Sequence, residues 1–155
     1  MGMINMIKII MNKFGLKLFL LLFFVSGTLF ANSNYMTGKF YERLNAPPWV
    51  HTMLYPDTAK IDFEYKPVNT GDSIKILVIK DYQRFAPEGK GENYKEIEGV
   101  VNEDGTFSVD LSEFKDGELV VVIALRKGYI KLWHVFRYCK TCDYKNVKIF
   151  FVKIR

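Results

Sequence analysis

From residue 60 onward apolar and polar side chains alternate with a period of two, and short clusters of turn residues interrupt the pattern again and again. Ile61, Phe63 and Tyr65 alternate with Asp62, Glu64 and Lys66, and Phe107, Val109 and Leu111 alternate with Thr106, Ser108 and Asp110. In Tyr129 to Cys139, Ile130, Leu132, His134 and Phe136 fall on one side and Trp133 and Val135 on the other. Such alternation places one face of a strand in a core and the other in water. Ile74 to Ile79 is apolar on both faces apart from Lys75, and Leu119 to Leu125 is a long β-branched run, which is how central strands read. Turn chemistry separates the runs at Pro67 to Gly71, Asp104-Gly105, Lys115-Asp116-Gly117, Arg126-Lys127-Gly128 and Lys140 to Asn146. Residues 83–96, with Pro87, Gly89, Gly91 and alternating charges, read as a long solvated loop, and Val147 to Ile154 as the last strand. The count is about seven strands. A lone strand layer leaves its apolar face wet, so two sheets must stack. The expected fold is all-β, a single two-sheet antiparallel sandwich.

The residues ahead of this pattern divide in two. Lys8, Lys13 and Lys17 precede an unbroken apolar run from Leu18 to Val25, and the small residues Ser26, Gly27, Thr28 and Ala31 follow. That order is a secretory signal peptide, expected over residues 1–31 with removal after Ala31 or after Ser33. An uncleaved anchor is the competing interpretation. Leu18 to Phe30 falls short of the roughly 20 apolar residues that a span needs, so no membrane span is expected once the signal is removed. Residues 32–59 lack clean periodicity, and Pro47 and Pro48 remove two amide donors. They read as an extended lead-in that wraps the domain with at most one edge strand, Met36 to Leu44 being alternatively a short helical turn, and residues 60–155 as the sandwich itself.

Charge narrows the partners. The net charge is +5, but residues 1–31 hold three of the 22 basic side chains and none of the 17 acidic ones. The remainder is nearly neutral and shows no clustered cations to match a phosphate lattice, so no nucleic-acid partner is expected. The expected location is periplasmic or secreted, with a protein of the cell envelope as partner and a glycan as the second partner class.

Val101-Asn102-Glu103-Asp104-Gly105-Thr106-Phe107-Ser108-Val109-Asp110-Leu111, followed by Lys115-Asp116-Gly117-Glu118-Leu119-Val120-Val121, resembles the central stretch of bacterial immunoglobulin-like domains. The resemblance covers residues 100–123. It implies an immunoglobulin-like or fibronectin III-like layout and adhesion or scaffolding roles, and it brings no catalytic residues with it. Those adhesins repeat the domain, whereas this chain has no internal repeat.

Few groups carry reactive chemistry. Cys139-Lys140-Thr141-Cys142 follows a strand and precedes turn residues. A dithiol tuned for exchange sits at a helix N-terminus, so a structural disulfide between Cys139 and Cys142 is expected, with a metal site or redox catalysis as alternatives. His134 lies five residues before Cys139, an odd separation that puts the two on opposite faces of a strand. His51 falls in the irregular lead-in. Asp62 and Glu64 share a face that alternation explains as the solvated side of a sheet. No phosphate loop, dinucleotide fingerprint or calcium loop is present. The expectation is a non-enzymatic protein with no cofactor, no catalytic residue and no metal. Tyr82, Phe85 and Tyr94, in or beside the polar loop, and Trp133 are the candidate ligand-binding aromatics, since sugar rings stack on such side chains.

Overall fold

The computed structural model describes residues 34–70 and 73–155, so the segment read as a signal peptide lies outside the described residues. Ten strands form: β1 (Tyr35–Arg43), β2 (Met53–Tyr55), β3 (Tyr65–Pro67), β4 (Ile74–Tyr82), β5 (Lys90–Glu98), β6 (Val100–Val101), β7 (Thr106–Asp110), β8 (Leu119–Arg126), β9 (Leu132–Arg137) and β10 (Val147–Phe151). They build a six-stranded sheet in the order β2-β10-β1-β7-β6, with β3 pairing with β1, and a four-stranded sheet in the order β5-β4-β8-β9. The two-sheet all-β sandwich is therefore the observed fold. Among the described residues there is no α-helix, and none long and apolar enough to cross a membrane.

Alternation decides which side chains meet between the sheets. Ile76 and Val78 of β4 and Val120, Val122 and Ala124 of β8 face Met36 and Phe40 of β1, Phe107 and Val109 of β7, and Ile149 and Phe151 of β10. Phe40 lies at the middle, 4.8 Å from the Phe107 ring and 5.4 Å from that of Phe151. At one end Glu42 closes this interior: it accepts a hydrogen bond from the Tyr129 hydroxyl at 2.9 Å, and the Arg126 guanidinium lies 3.8 Å away. Burial first, and then that hydrogen bond to a carboxylate, raise the pKa of Tyr129.

The strand bookkeeping differs from expectation in four places. The lead-in supplies two strands, the edge strand β2 and β1, which sits inside the six-stranded sheet between β10 and β7 and not at an edge. Its inward positions read Met36, Gly38, Phe40, Glu42, and the glycine hides the alternation. Gly38 is required there, because a Cβ would overlap the Val147 carbonyl oxygen and the Phe107 ring. The sandwich is also not wholly antiparallel, since β1 runs parallel to β10, with Gly38 opposite Val147 and Phe40 opposite Ile149. The compact unit accordingly runs from Asn34 to Arg155.

Residues 83–96 are the third difference. Instead of one long loop, a 3-10 turn at Pro87–Gly89 leads into β5, which pairs with β4 along Leu77↔Glu98 and Ile79↔Glu96. As an edge strand it is solvated on nearly every side, so its charges mask a period of two, and the same charges discourage edge-to-edge pairing with other chains. Fourth, residues 61–64 are irregular, and only Tyr65–Pro67 pairs as a strand. The Asp-Gly hairpin forms between β6 and β7 as expected, but only Gly105 takes positive φ (78°). Asp104 instead accepts the Thr106 amide at 3.0 Å, and a Cβ on Gly105 would overlap the Val68 carbonyl oxygen.

Candidate interaction surface

An antiparallel sheet packed on one side keeps its other side polar as a rule. The four-stranded sheet does not. Strand register aligns two rows across its outer face, Glu98–Leu77–Ile123–Trp133 and Glu96–Ile79–Val121–Val135. Leu77, Ile79, Val121 and Ile123 form a second apolar cluster, separate from the core, with Tyr82 and Tyr94 packed against it. Val121 is 0% exposed although it points away from the sandwich interior.

The cover is incomplete toward β9. Trp133 is 46% exposed, Val135 45%, Leu119 39% and Leu125 38%. Tyr82, Leu119, Trp133 and Val135, with Arg84 at the rim, line a groove of about 350 Å³. Tyr82 and Trp133 meet edge to face at 5.4 Å, which fixes both rings.

The charges around this face are sorted. On the β5 side the acids have partners within the chain: Glu98 pairs with Lys75 at 3.2 Å, and Glu96 accepts the Tyr94 hydroxyl at 2.8 Å. Burial first, and then that bond to Glu96, raise the Tyr94 pKa, so the phenol stays neutral. On the β9 side Arg84, Lys131 and Arg137 have no carboxylate partner among the described residues. The Lys131 ammonium lies 5.2 Å from the Trp133 ring centroid, and Arg137 donates to the Gly117 carbonyl at 3.1 Å. The groove thus has an apolar floor and a cationic rim.

The four aromatics singled out in the sequence are not gathered into one platform. Tyr82 and Trp133 share the groove, and Tyr94 lies on the same apolar cluster toward β5. Phe85 is 95% exposed and makes no ring contact with them, only the neighbouring Arg84 guanidinium at 5.9 Å. The cysteines lie elsewhere. Cys139 and Cys142 form a disulfide with Cα atoms 5.2 Å apart, in the loop between β9 and β10. The Tyr144 hydroxyl accepts the Cys139 amide at 2.8 Å, and the Tyr144 and Tyr138 rings stack at 5.8 Å. No helix follows Cys142 to stabilise a thiolate.

His134 points inward beside Phe136, and burial lowers its pKa. His51 is exposed in the lead-in. Glu64, whose partner on a strand face was to be Asp62, lies in irregular chain and accepts a hydrogen bond from Asn45 at 3.0 Å. Among the described residues no three His, Cys, Asp or Glu side chains are grouped to hold a metal.

Sequence reasoning passed over the outer residues Leu77, Ile79, Val121 and Ile123, although their signal was visible. A strand apolar on both faces inside a sandwich with one wet side announces a covered outer face, and both β4 and β8 carry such runs. It also passed over the opposite sheet, where Phe150 is 1% exposed beneath Tyr41, Tyr55, Phe63 and Tyr65. The consecutive Ile149-Phe150-Phe151 was the same signal there. No family model, curated protein or solved structure matches this chain.

Proposed function

We propose that this is an exported, non-enzymatic interaction module of the cell envelope, and that the outer face of its four-stranded sheet docks on a protein partner. The observation that carries the proposal is the pair of apolar rows left open toward β9, rimmed by Arg84, Lys131 and Arg137 without carboxylate partners. Apolar area open to water beside unpaired cations fits a partner surface with apolar side chains at its centre and carboxylates around them. The likeness of residues 100–123 to bacterial immunoglobulin-like domains supports an adhesion or scaffolding role. The disulfide supports export, since such bonds persist in oxidising compartments.

A photo-crosslinking residue at Val135, introduced in the native cell, tests the proposal against the same residue at Glu103 in the β6–β7 turn. The expected outcome is one identified protein joined from Val135 and not from Glu103. That protein, purified, should bind the chain with salt-sensitive affinity and lose it with Val135→Glu. Equal adducts from both positions, or full affinity in Val135→Glu, would overturn the assignment.

A further inference from the structure

The outer face of the six-stranded sheet holds a second concavity, a groove of about 510 Å³ across β7, β1 and β10. Its size is that of a small-molecule site, and most of the residues that line it carry polar side chains around the apolar Phe107 and Val147. Register explains the lining. Ser108 lies opposite Thr37, and Thr106 lies opposite Lys39, which neighbours Lys148 on the far side. Two lysines are therefore adjacent across the parallel pair β1–β10, an arrangement that costs stability through like-charge repulsion.

The chain ion-pairs only one of them among the described residues. The Lys148 ammonium reaches the Asp57 carbonyl at 3.2 Å and its carboxylate at 3.4 Å. Lys39 forms no ion pair among the described residues. It acts at a distance on Asp104, whose carboxyl is held below the usual range mainly by the Thr106 hydroxyl, then by the Thr106 amide, with Lys39 adding to this. The side chains of Thr37, Ser108 and Asn146, which share the groove, make no hydrogen bond among the described residues. Tyr41 closes one end, its ring held against Phe150 at 5.2 Å and Tyr65 at 5.3 Å.

We infer that this groove binds a short acidic saccharide, with a sugar carboxylate between Lys39 and Lys148 and sugar hydroxyls on Thr37, Ser108 and Asn146. The lysine pair asks for an anion. The hydroxyls and the amide both donate and accept, which suits a ligand that presents many hydroxyl groups, and the fixed Tyr41 ring offers an apolar edge to a pyranose. The groove is larger than a lone inorganic anion would fill. This site lies on the other sheet from the docking face and does not depend on it.

Calorimetric titration of the chain, purified as the cell exports it, with trigalacturonic acid tests the inference, with maltotriose and inorganic phosphate as controls. Saturable binding of the acidic trisaccharide is expected, roughly tenfold weaker in Lys39→Ala and restored in Lys39→Arg. Thermal melting of each variant checks that the fold is intact. No binding of trigalacturonic acid, or equal affinity for maltotriose, would overturn the inference. Equal affinity for inorganic phosphate would replace it with a simple anion site, and wild-type affinity in Lys39→Ala would remove the groove from the account.

Discussion

The outer faces of the two sheets each carry an apolar cluster, and the two clusters differ in cover. On the six-stranded sheet Phe150 disappears beneath rings from Tyr41, Tyr55, Phe63 and Tyr65, and Arg43 lies 4.0 Å over Phe63. On the four-stranded sheet Val121 and Ile79 are equally buried, but Val135 in the same row and Trp133 in the adjacent one stand about half in water. The difference lies in the connections. The chain between β1 and β4 supplies β2 and β3, which pair within the six-stranded sheet, and it brings Tyr55, Phe63 and Tyr65 to join Tyr41 of β1 around Phe150. Over the four-stranded sheet, among the described residues, Tyr82 and Tyr94 are the rings packed against the apolar cluster. An apolar face that its own chain covers is core, and one that its chain leaves open is available to another molecule.

The largest expected effect breaks this comparison if it fails. Phe150→Ala should cost about 3–5 kcal/mol, because it removes a buried ring and the surrounding aromatics cannot all collapse into the space. Val135→Ala, at a half-exposed position, should cost less than about 1 kcal/mol. Urea unfolding of the two variants measures the gap. Similar losses would mean that the two faces are covered alike in solution.

Next in size is the effect of Trp133 on affinity. A tryptophan at the centre of a docking face is a typical hot spot, so Trp133→Ala should weaken binding of the crosslinked partner by about 2 kcal/mol or more. Measured by calorimetry, it should leave Phe150-dependent stability untouched, since Trp133 packs on the other sheet.

The disulfide follows the strand that presents Trp133 and Val135. Tyr138, directly before Cys139, is buried against Tyr144, and Cys142 closes a four-residue loop. By loop-closure entropy, Cys139→Ser with Cys142→Ser should cost at most about 2 kcal/mol. Hydrogen exchange should rise at the end of β9 and in the loop to β10, and not at β1 or β7. A uniform rise would show that the bond supports the whole sandwich.

How much of this was legible follows from where the periodicity survives. The strands β4, β7, β8 and β9 and their turns stand plainly in the sequence, because each buries one complete face. The strand β1 did not, since Gly38 interrupts Met36 and Phe40, and the reason for that glycine is a neighbouring strand more than a hundred residues away. The strand β5 did not, because an edge strand has little apolar face to display. The cysteine pair was readable from local spacing. The groove with Lys39 and Lys148 was not, since only the parallel pairing of the first and last strands brings those lysines together. The docking face lay in between: its apolar runs were visible, but which of them remain uncovered depends on distant connections.

The smallest effect concerns the inward side of the strand that carries the docking residues. His134 lies between Trp133 and Val135 in β9 and points toward Phe136, where burial disfavours its charged form and lowers its pKa. In the unfolded chain the imidazole titrates near its ordinary value of about 6.5. As pH falls through that value the unfolded chain takes up a proton that the folded one resists, so the unfolded state binds more protons and stability declines. The decline begins near the ordinary histidine value and ends below the lowered one, and above that window His134 contributes no pH dependence. His134→Gln should flatten this part of the curve, while Phe150→Ala should lower the curve without changing its shape there. Thermal melts between neutral and mildly acidic pH read both. If His134→Gln leaves the slope unchanged, the inward side of β9 is wetter than the core beneath the six-stranded sheet, and the open face extends around the edge of the strand.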